Sequence, residues 1–103
     1  MKQYQIDNLL STKESEAEII YRNGDWIALN TLSEDYKSES GPCSSEDLAK
    51  VEWYKLIWQH FDIVIERFPE HRKISVLKKK RNEWHKEWSL SRDSIGPWGD
   101  FYQ

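Results

Sequence analysis

Apolar residues recur along this chain with two different periods. Between Glu18 and Asn30 the order is Glu18-Ile19-Ile20-Tyr21-Arg22, then Asn23-Gly24, then Asp25-Trp26-Ile27-Ala28-Leu29-Asn30. β-Branched and aromatic residues on both sides of an Asn-Gly pair are the strongest short-range hairpin signal, because a type I′ turn needs φ > 0 at both central positions. The register that follows pairs Arg22 with Asp25, Tyr21 with Trp26, Ile20 with Ile27 and Ile19 with Ala28, so that opposite charges meet beside the turn and an aromatic pair comes next. A helix over 12–22 capped by Gly24 is the competing reading. The Ile-Ile-Tyr and Trp-Ile runs favour the pleated surface.

Further on the period lengthens to that of a helix. Ser44, with Asp47 three positions later, opens a helix predicted to run over 45–68, where Pro69 stops it. Val51, Tyr54, Ile57, Trp58, Phe61, Val64, Ile65 and Phe68 form one broad apolar stripe on it, and Ala49, Trp53, Leu56 and Ile63, with His60 among them, form a second. Only Glu52, Lys55, Gln59, Asp62 and Glu66 make a continuously polar sector, so this helix must be covered on two sides. Pro69 suits the N1 position of a following helix over 70–91, with Glu70 at its positive end and Ile74, Leu77, Trp84 and Trp88 as its apolar stripe. The expected architecture is a single helix-dominated α+β domain over 1–103, an N-terminal β-hairpin packed on two long antiparallel helices. An all-α three-helix bundle is the alternative.

The remaining segments are less patterned. Tyr4, Ile6, Leu9 and Leu10 suit one face of a short helix or a strand, and Ser11 with Glu14 has the form of a capping box. Residues 31–45 read as a surface connection around Gly41-Pro42. Trp98, Phe101 and Tyr102 close the chain as an aromatic but non-periodic tail, expected to fold back across the last helix.

Composition refines this picture. Ile, Leu, Val and Phe account for 23 of the 103 residues, close to the roughly one-fifth below which charged chains stay disordered. Six Trp and five Tyr supply the missing apolar surface, so a mean hydropathy of −0.86 understates the core. No apolar run approaches the roughly 18 residues of a membrane span, and the polar N-terminus does not resemble a secretory leader, so a cytoplasmic protein without membrane contact is expected. The net charge of −3 is unevenly spread: residues 1–68 carry 7 Lys/Arg against 13 Asp/Glu, and residues 69–103 carry 8 against 5.

Signals for chemistry are sparse. His60, His71 and His85 lack metal-ligand spacing, and Cys43, the single cysteine, can form neither an internal disulfide nor a thiolate-rich zinc site. The four glycines form no phosphate-binding loop, and no nucleophile motif is present. Glu83 with Glu87, and Asp62 with Glu66, are the spacing of ordinary solvated helix faces. The sequence therefore points away from an enzyme and to no cofactor or metal.

Two surfaces remain as candidates. His71, Lys78, Lys79, Asn82, His85 and Lys86 share one sector of the last helix, where Lys78, Lys79, His85 and Lys86 are the phosphate-binding candidates. Against this stand Glu83 and Glu87, which flank the sector, and a pI near 5.6. Arg81 falls inside the apolar stripe beside Trp84 and Trp88. Either it packs on Trp84 or pairs with a carboxylate from the 45–68 helix or the hairpin, or Arg81, Trp84, Trp88 and the tail's Trp98 form a protein-binding patch. The leading expectation is a non-enzymatic protein-binding module, a small regulator or inhibitor that occupies a partner protein's surface. In one form the partner is a nucleic-acid-handling enzyme, met by an acidic face drawn from Glu14, Glu16, Glu18, Asp25, Glu34, Asp35, Glu39, Glu46 and Asp47. The alternative is a nucleic-acid-binding accessory protein that uses the last helix.

Overall fold

Asn23 and Gly24 take φ of 54° and 86° and close the hairpin between β1 (Glu18–Arg22) and β2 (Asp25–Asn30). The register is the expected one, from Arg22 opposite Asp25 to Ile19 opposite Ala28, and the Tyr21 and Trp26 rings meet at 5.0 Å. The computed structural model describes residues 3–33 and 36–95. Within them, β3 (Ser38–Glu39) pairs antiparallel with Asn30 and Leu29 of β2, so the sheet order is β1-β2-β3. This third strand lies inside the stretch read as a surface connection. It continues as single contacts: Ala28 N–H donates to Ser40 Oγ at 2.9 Å, Ser40 N–H donates to the Ala28 carbonyl at 2.9 Å, and Trp26 and Cys43 exchange backbone hydrogen bonds. Side chain and loop backbone thus satisfy β2 donors and acceptors that a longer strand would otherwise meet.

Two segments before the sheet were undecided or misread in the sequence. Residues Gln3–Leu10 form helix α1, which sinks Ile6 and Leu9 into the core. The capping box does not form: Ser11 Oγ donates to the Asn8 carbonyl, while the 3-10 turn Glu14–Glu16 starts from Lys13 without a side-chain cap. Glu14 instead reaches across to Lys50, at 2.7 Å.

Helix α2 (Glu46–Arg67) begins one residue later than expected. Ser45, in extended backbone, is the N-cap and accepts from Leu48 N–H at 3.1 Å, leaving Ser44 outside. As its two apolar stripes require, α2 is covered on two sides, by β2 and by α3 (Ile74–Asp93). Trp53, Tyr54, Ile57, Phe61 and Val64 are buried along it and share one core with Ile6, Leu9, Ala28 and Leu77.

Pro69 does not start α3. The chain turns over 68–73, with His71 N–H bonded to the Phe68 carbonyl, and Lys73 is the N-cap residue. Lys73 makes no side-chain cap; its own N–H donates to His71 Nδ1 at 3.0 Å. A helix begun at Pro69 would leave no residues in which to reverse direction, whereas this connection lets α3 return along α2. The two helices are antiparallel, since Asp62 late in α2 meets Arg81 and Trp58 before it meets His85 and Trp88. The fold is α+β with helix dominant, and the three-stranded sheet excludes the all-α bundle. Among the described residues no helix is long and apolar enough to cross a membrane.

Candidate functional site

Arg81 is paired, but not where its own helix suggested. Its Nε donates to Asp62 Oδ1 at 2.8 Å and one terminal nitrogen to Asp62 Oδ2 at 3.3 Å, a two-point contact between α3 and α2. The guanidinium carbon lies 4.9 Å from the Trp58 ring centroid. Trp58 of α2, not Trp84 one turn along α3, supplies the aromatic surface. A planar guanidinium suits both a carboxylate fork and an aromatic face, so one half-buried cation ties together two α2 side chains four residues apart.

From Trp58 the contacts continue along the seam. Its ring is 5.0 Å from His85 and 5.5 Å from Trp88, and His85 and Trp88 are 5.2 Å apart. Arg92 then covers Trp88, its guanidinium carbon 4.5 Å from the ring, with Asp93 at 3.5 Å. All of the aromatic members are half-buried. The Trp58 indole N–H is buried and meets no acceptor among the described residues, so this cluster is held by ring contacts and the two arginines.

The other side of the seam has a different character. Trp84 packs edge-on against Trp53 at 5.5 Å and lies 6.0 Å from Tyr54. Thr12, Glu14, Tyr54, Lys80, Glu83, Trp84 and Glu87 line an open cleft of about 310 Å³ here. Burial, and then its hydrogen bond to Glu14, push the Tyr54 hydroxyl well above the usual tyrosine range. Hydrogen bonds from Lys50 and Tyr54 hold the Glu14 carboxyl below the usual carboxylate range.

The structure therefore divides the expected patch. Arg81 and Trp88 come together through Trp58, Trp84 faces the cleft, and Trp98, like Phe101 and Tyr102, lies outside the described residues. It also divides the phosphate-binding candidates. Lys78, Lys79 and Lys86 are exposed and have no ionic partner among the described residues, while the His85 ring is taken up between Trp58 and Trp88. Glu83 and Glu87, expected to flank that basic sector, also line the cleft, where Glu83 lies 3.6 Å from Lys80. Trp58, Asp62 and Arg92 are participants that sequence reading did not select. The apolar setting of Arg81 called for a carboxylate of α2 or the hairpin without singling out Asp62.

Elsewhere the reactive side chains are sequestered. His60 is fully buried, 4.6 Å from the Tyr36 ring and 3.0 Å from Asn30 Nδ2. Burial pushes the Cys43 thiol up from its ordinary value, which disfavours the thiolate. No three His, Cys, Asp or Glu side chains among the described residues group closely enough to hold a metal ion. Comparison with protein-family models, with curated protein sequences and with solved structures finds no match to this chain.

Proposed function

We propose that this chain is a non-enzymatic protein-binding module, a small cytosolic regulator or inhibitor that acts by covering a partner's surface with α3 and its seam on α2. The observation that carries this reading is the incomplete burial of α3. Of its 20 residues Leu77 alone is fully buried, the Arg81, Trp58 and Trp88 cluster stays half-exposed, and Val76 and Leu90 stand 46% and 53% exposed. Arg and Trp held rigidly at partial exposure are the side chains that most often dominate interface energetics, and ordering them beforehand lowers the entropic cost of binding.

Host-cell capture by the full chain, with cross-linking and identification of the captured protein, tests the proposal against Arg81→Ala and Trp88→Ala. Reduced capture by variants that still fold supports it. Full capture with full stability in both variants removes the seam as the site. The nucleic-acid reading draws on the exposed Lys78, Lys79 and Lys86, which have no ionic partner among the described residues. It requires a salt-sensitive mobility shift with single- or double-stranded nucleic acid that Lys→Glu substitution at these three positions abolishes.

A further inference from the structure

We propose that the cleft between the 12–14 segment and α3 seats a lysine or arginine side chain of the partner protein, with its cation on the Trp84 indole and between the carboxylates of Glu83 and Glu87. This rests on the protein-binding reading and names the chemistry that the partner presents.

Shape is the first argument. The cleft holds about 310 Å³, the lower end of the roughly 300–1,000 Å³ of ligand pockets, so its occupant is one long side chain and not a whole helix. Three parts of the chain build it: the segment after α1 through Glu14, α2 through Tyr54, and α3 through Trp84 and its neighbours. Trp84 is set edge-on against the buried Trp53 at 5.5 Å and lies 6.0 Å from Tyr54, which fixes the indole, yet it stays half-buried and lines the cleft. A fixed aromatic face beside carboxylates suits an ammonium or guanidinium group, because the ring quadrupole and the carboxylate attract the same charge.

Charge is the second. Lys80, Glu83, Trp84 and Glu87 fall within about 100° of arc on α3, so their side chains converge on one wall. With Glu14 opposite, the lining carries three carboxylates against the single ammonium of Lys80. Glu14 is taken up by Lys50 and the Tyr54 hydroxyl. Lys80 meets Glu83 at 3.6 Å, a contact between side chains 43% and 51% exposed that water screens and a better-placed cation displaces. Glu87 has neither an ion pair nor a hydrogen bond among the described residues. Glu83 and Glu87 lie one helical turn apart and repel each other, and a guest cation between them removes that repulsion.

The wider field favours the same occupant. Residues 1–68 carry 13 acidic against 7 basic side chains, and the exposed Glu16 and Glu18 follow Glu14 in the segment that walls the cleft. Such a field draws in a basic segment and turns away an acidic one.

The test is an NMR titration of the isotope-labelled full chain with Nα-acetyl-arginine amide and with its neutral isostere, Nα-acetyl-citrulline amide. The arginine amide is expected to move the Trp84 indole N–H and the backbone amides of Glu14, Glu83 and Glu87 along one saturable curve, roughly tenfold or more tightly than the citrulline amide. The Glu83→Gln, Glu87→Gln double variant should lose that difference, and since both side chains are exposed its thermal melt should match wild type. Trp84→Leu, which keeps apolar volume without a π face, should weaken binding as well, and the double variant decides the matter if Trp84→Leu does not fold. An equal response to the two amides, a response kept in the double variant, or one spread evenly over acids remote from the cleft such as Glu39 and Glu66 overturns the proposal. So does spermidine that saturates the same signals at lower concentration, which assigns the cleft to a free polyamine. Host-protein capture that survives the double substitution but falls with Arg81→Ala removes the basic side chain and leaves the protein-binding reading standing.

Discussion

Asn30 Nδ2 lies 3.0 Å from His60 Nδ1 inside the core, joining the last residue of β2 to the middle of α2. Asn30 Oδ1 accepts from Leu32 N–H at 3.2 Å, which fixes the amide orientation and makes Nδ2 the donor to the ring. Nδ1 must then be the acceptor. The imidazole is neutral with its proton on Nε2, which is buried and finds no partner among the described residues.

Stability should therefore fall with acid. Burial lowers the His60 pKa from 6.5 to about 4, so between those values the unfolded chain takes up a proton that the folded chain refuses. The contribution is fully present above pH 6.5, declines as pH falls towards 4, and amounts to about 3 kcal/mol across the window. Thermal melts across this range, compared between wild type and His60→Gln, measure it. The variant should lose the part of the slope that belongs to this group, and identical slopes would show that His60 protonates freely in the fold.

At the hairpin turn, Gly24→Val should destabilise by about 1–2 kcal/mol. A Cβ at Gly24 meets nothing within 4 Å, so the penalty comes from φ of +86° and not from a clash. Gly24→Ala should for the same reason show a comparable loss in a denaturant melt, and an unchanged midpoint in both would contradict the turn geometry.

The facing of α2 is tested by contrast. Phe61→Ala and Ile57→Ala, at fully buried sites, should each cost about 2–5 kcal/mol, while Glu52→Ala and Lys55→Ala should stay within about 0.5 kcal/mol of wild type. Equal losses in the two sets would mean that the wrong stripe faces the core.

Across the seam, a double-mutant cycle on Asp62 and Arg81 should return a coupling of about 0.5–1 kcal/mol. Its size is limited because the Asp62 side chain is 45% exposed and water screens the pair. Trp58→Phe should cost much less than Trp58→Ala, since Phe keeps a ring beneath Arg81 and removes a buried N–H that has no acceptor among the described residues. A larger loss for Phe than for Ala would refute the account of this cluster.

Much of the framework was legible because it rests on local signals. Asn23-Gly24 set the hairpin and, through it, every pair from Arg22 and Asp25 to Ile19 and Ala28. The spacing of Val51, Tyr54, Ile57, Phe61 and Val64 located α2 and showed that two faces needed cover. β3 was not legible, because two residues, Ser38 and Glu39, are held by backbone pairing and carry no apolar alternation. Pro69 misplaced the start of α3, since its preference for a first helical position says nothing of the residues needed to reverse the chain. The site was half legible: the apolar setting of Arg81 demanded either a carboxylate from α2 or the hairpin, which is met by Asp62, or an aromatic plane, for which helix spacing pointed to Trp84. The antiparallel return brings Trp58 instead of Trp84, together with Asp62, from some twenty residues away.

Ser40 deserves a substitution of its own. Its Oγ accepts from Ala28 N–H and donates to the Gly41 carbonyl, both at 2.9 Å, so Ser40→Ala should cost about 1–3 kcal/mol by leaving the buried Ala28 amide unpaired. Amide exchange at Ala28 should accelerate in the variant, and unchanged protection there would show that the hydroxyl is dispensable.

That stitched border also governs how the folded protein meets other copies of itself. With Ser38–Glu39, Ser40 and Cys43 each taking a share of β2, the only long rim of the sheet among the described residues is the five residues of β1, the opposite edge being the two residues of β3. Glu18 and Arg22 stand at its two ends, exposed and oppositely charged, and a rim so short and so charged is a poor template for strand addition. Loosening the 38–43 segment would uncover a second rim along Trp26-Ile27-Ala28-Leu29, an uncharged, β-rich run of the kind that seeds intermolecular sheets. The loop is thus a guard against aggregation as much as a connection, and variants that free it should lose solubility before they lose helix content.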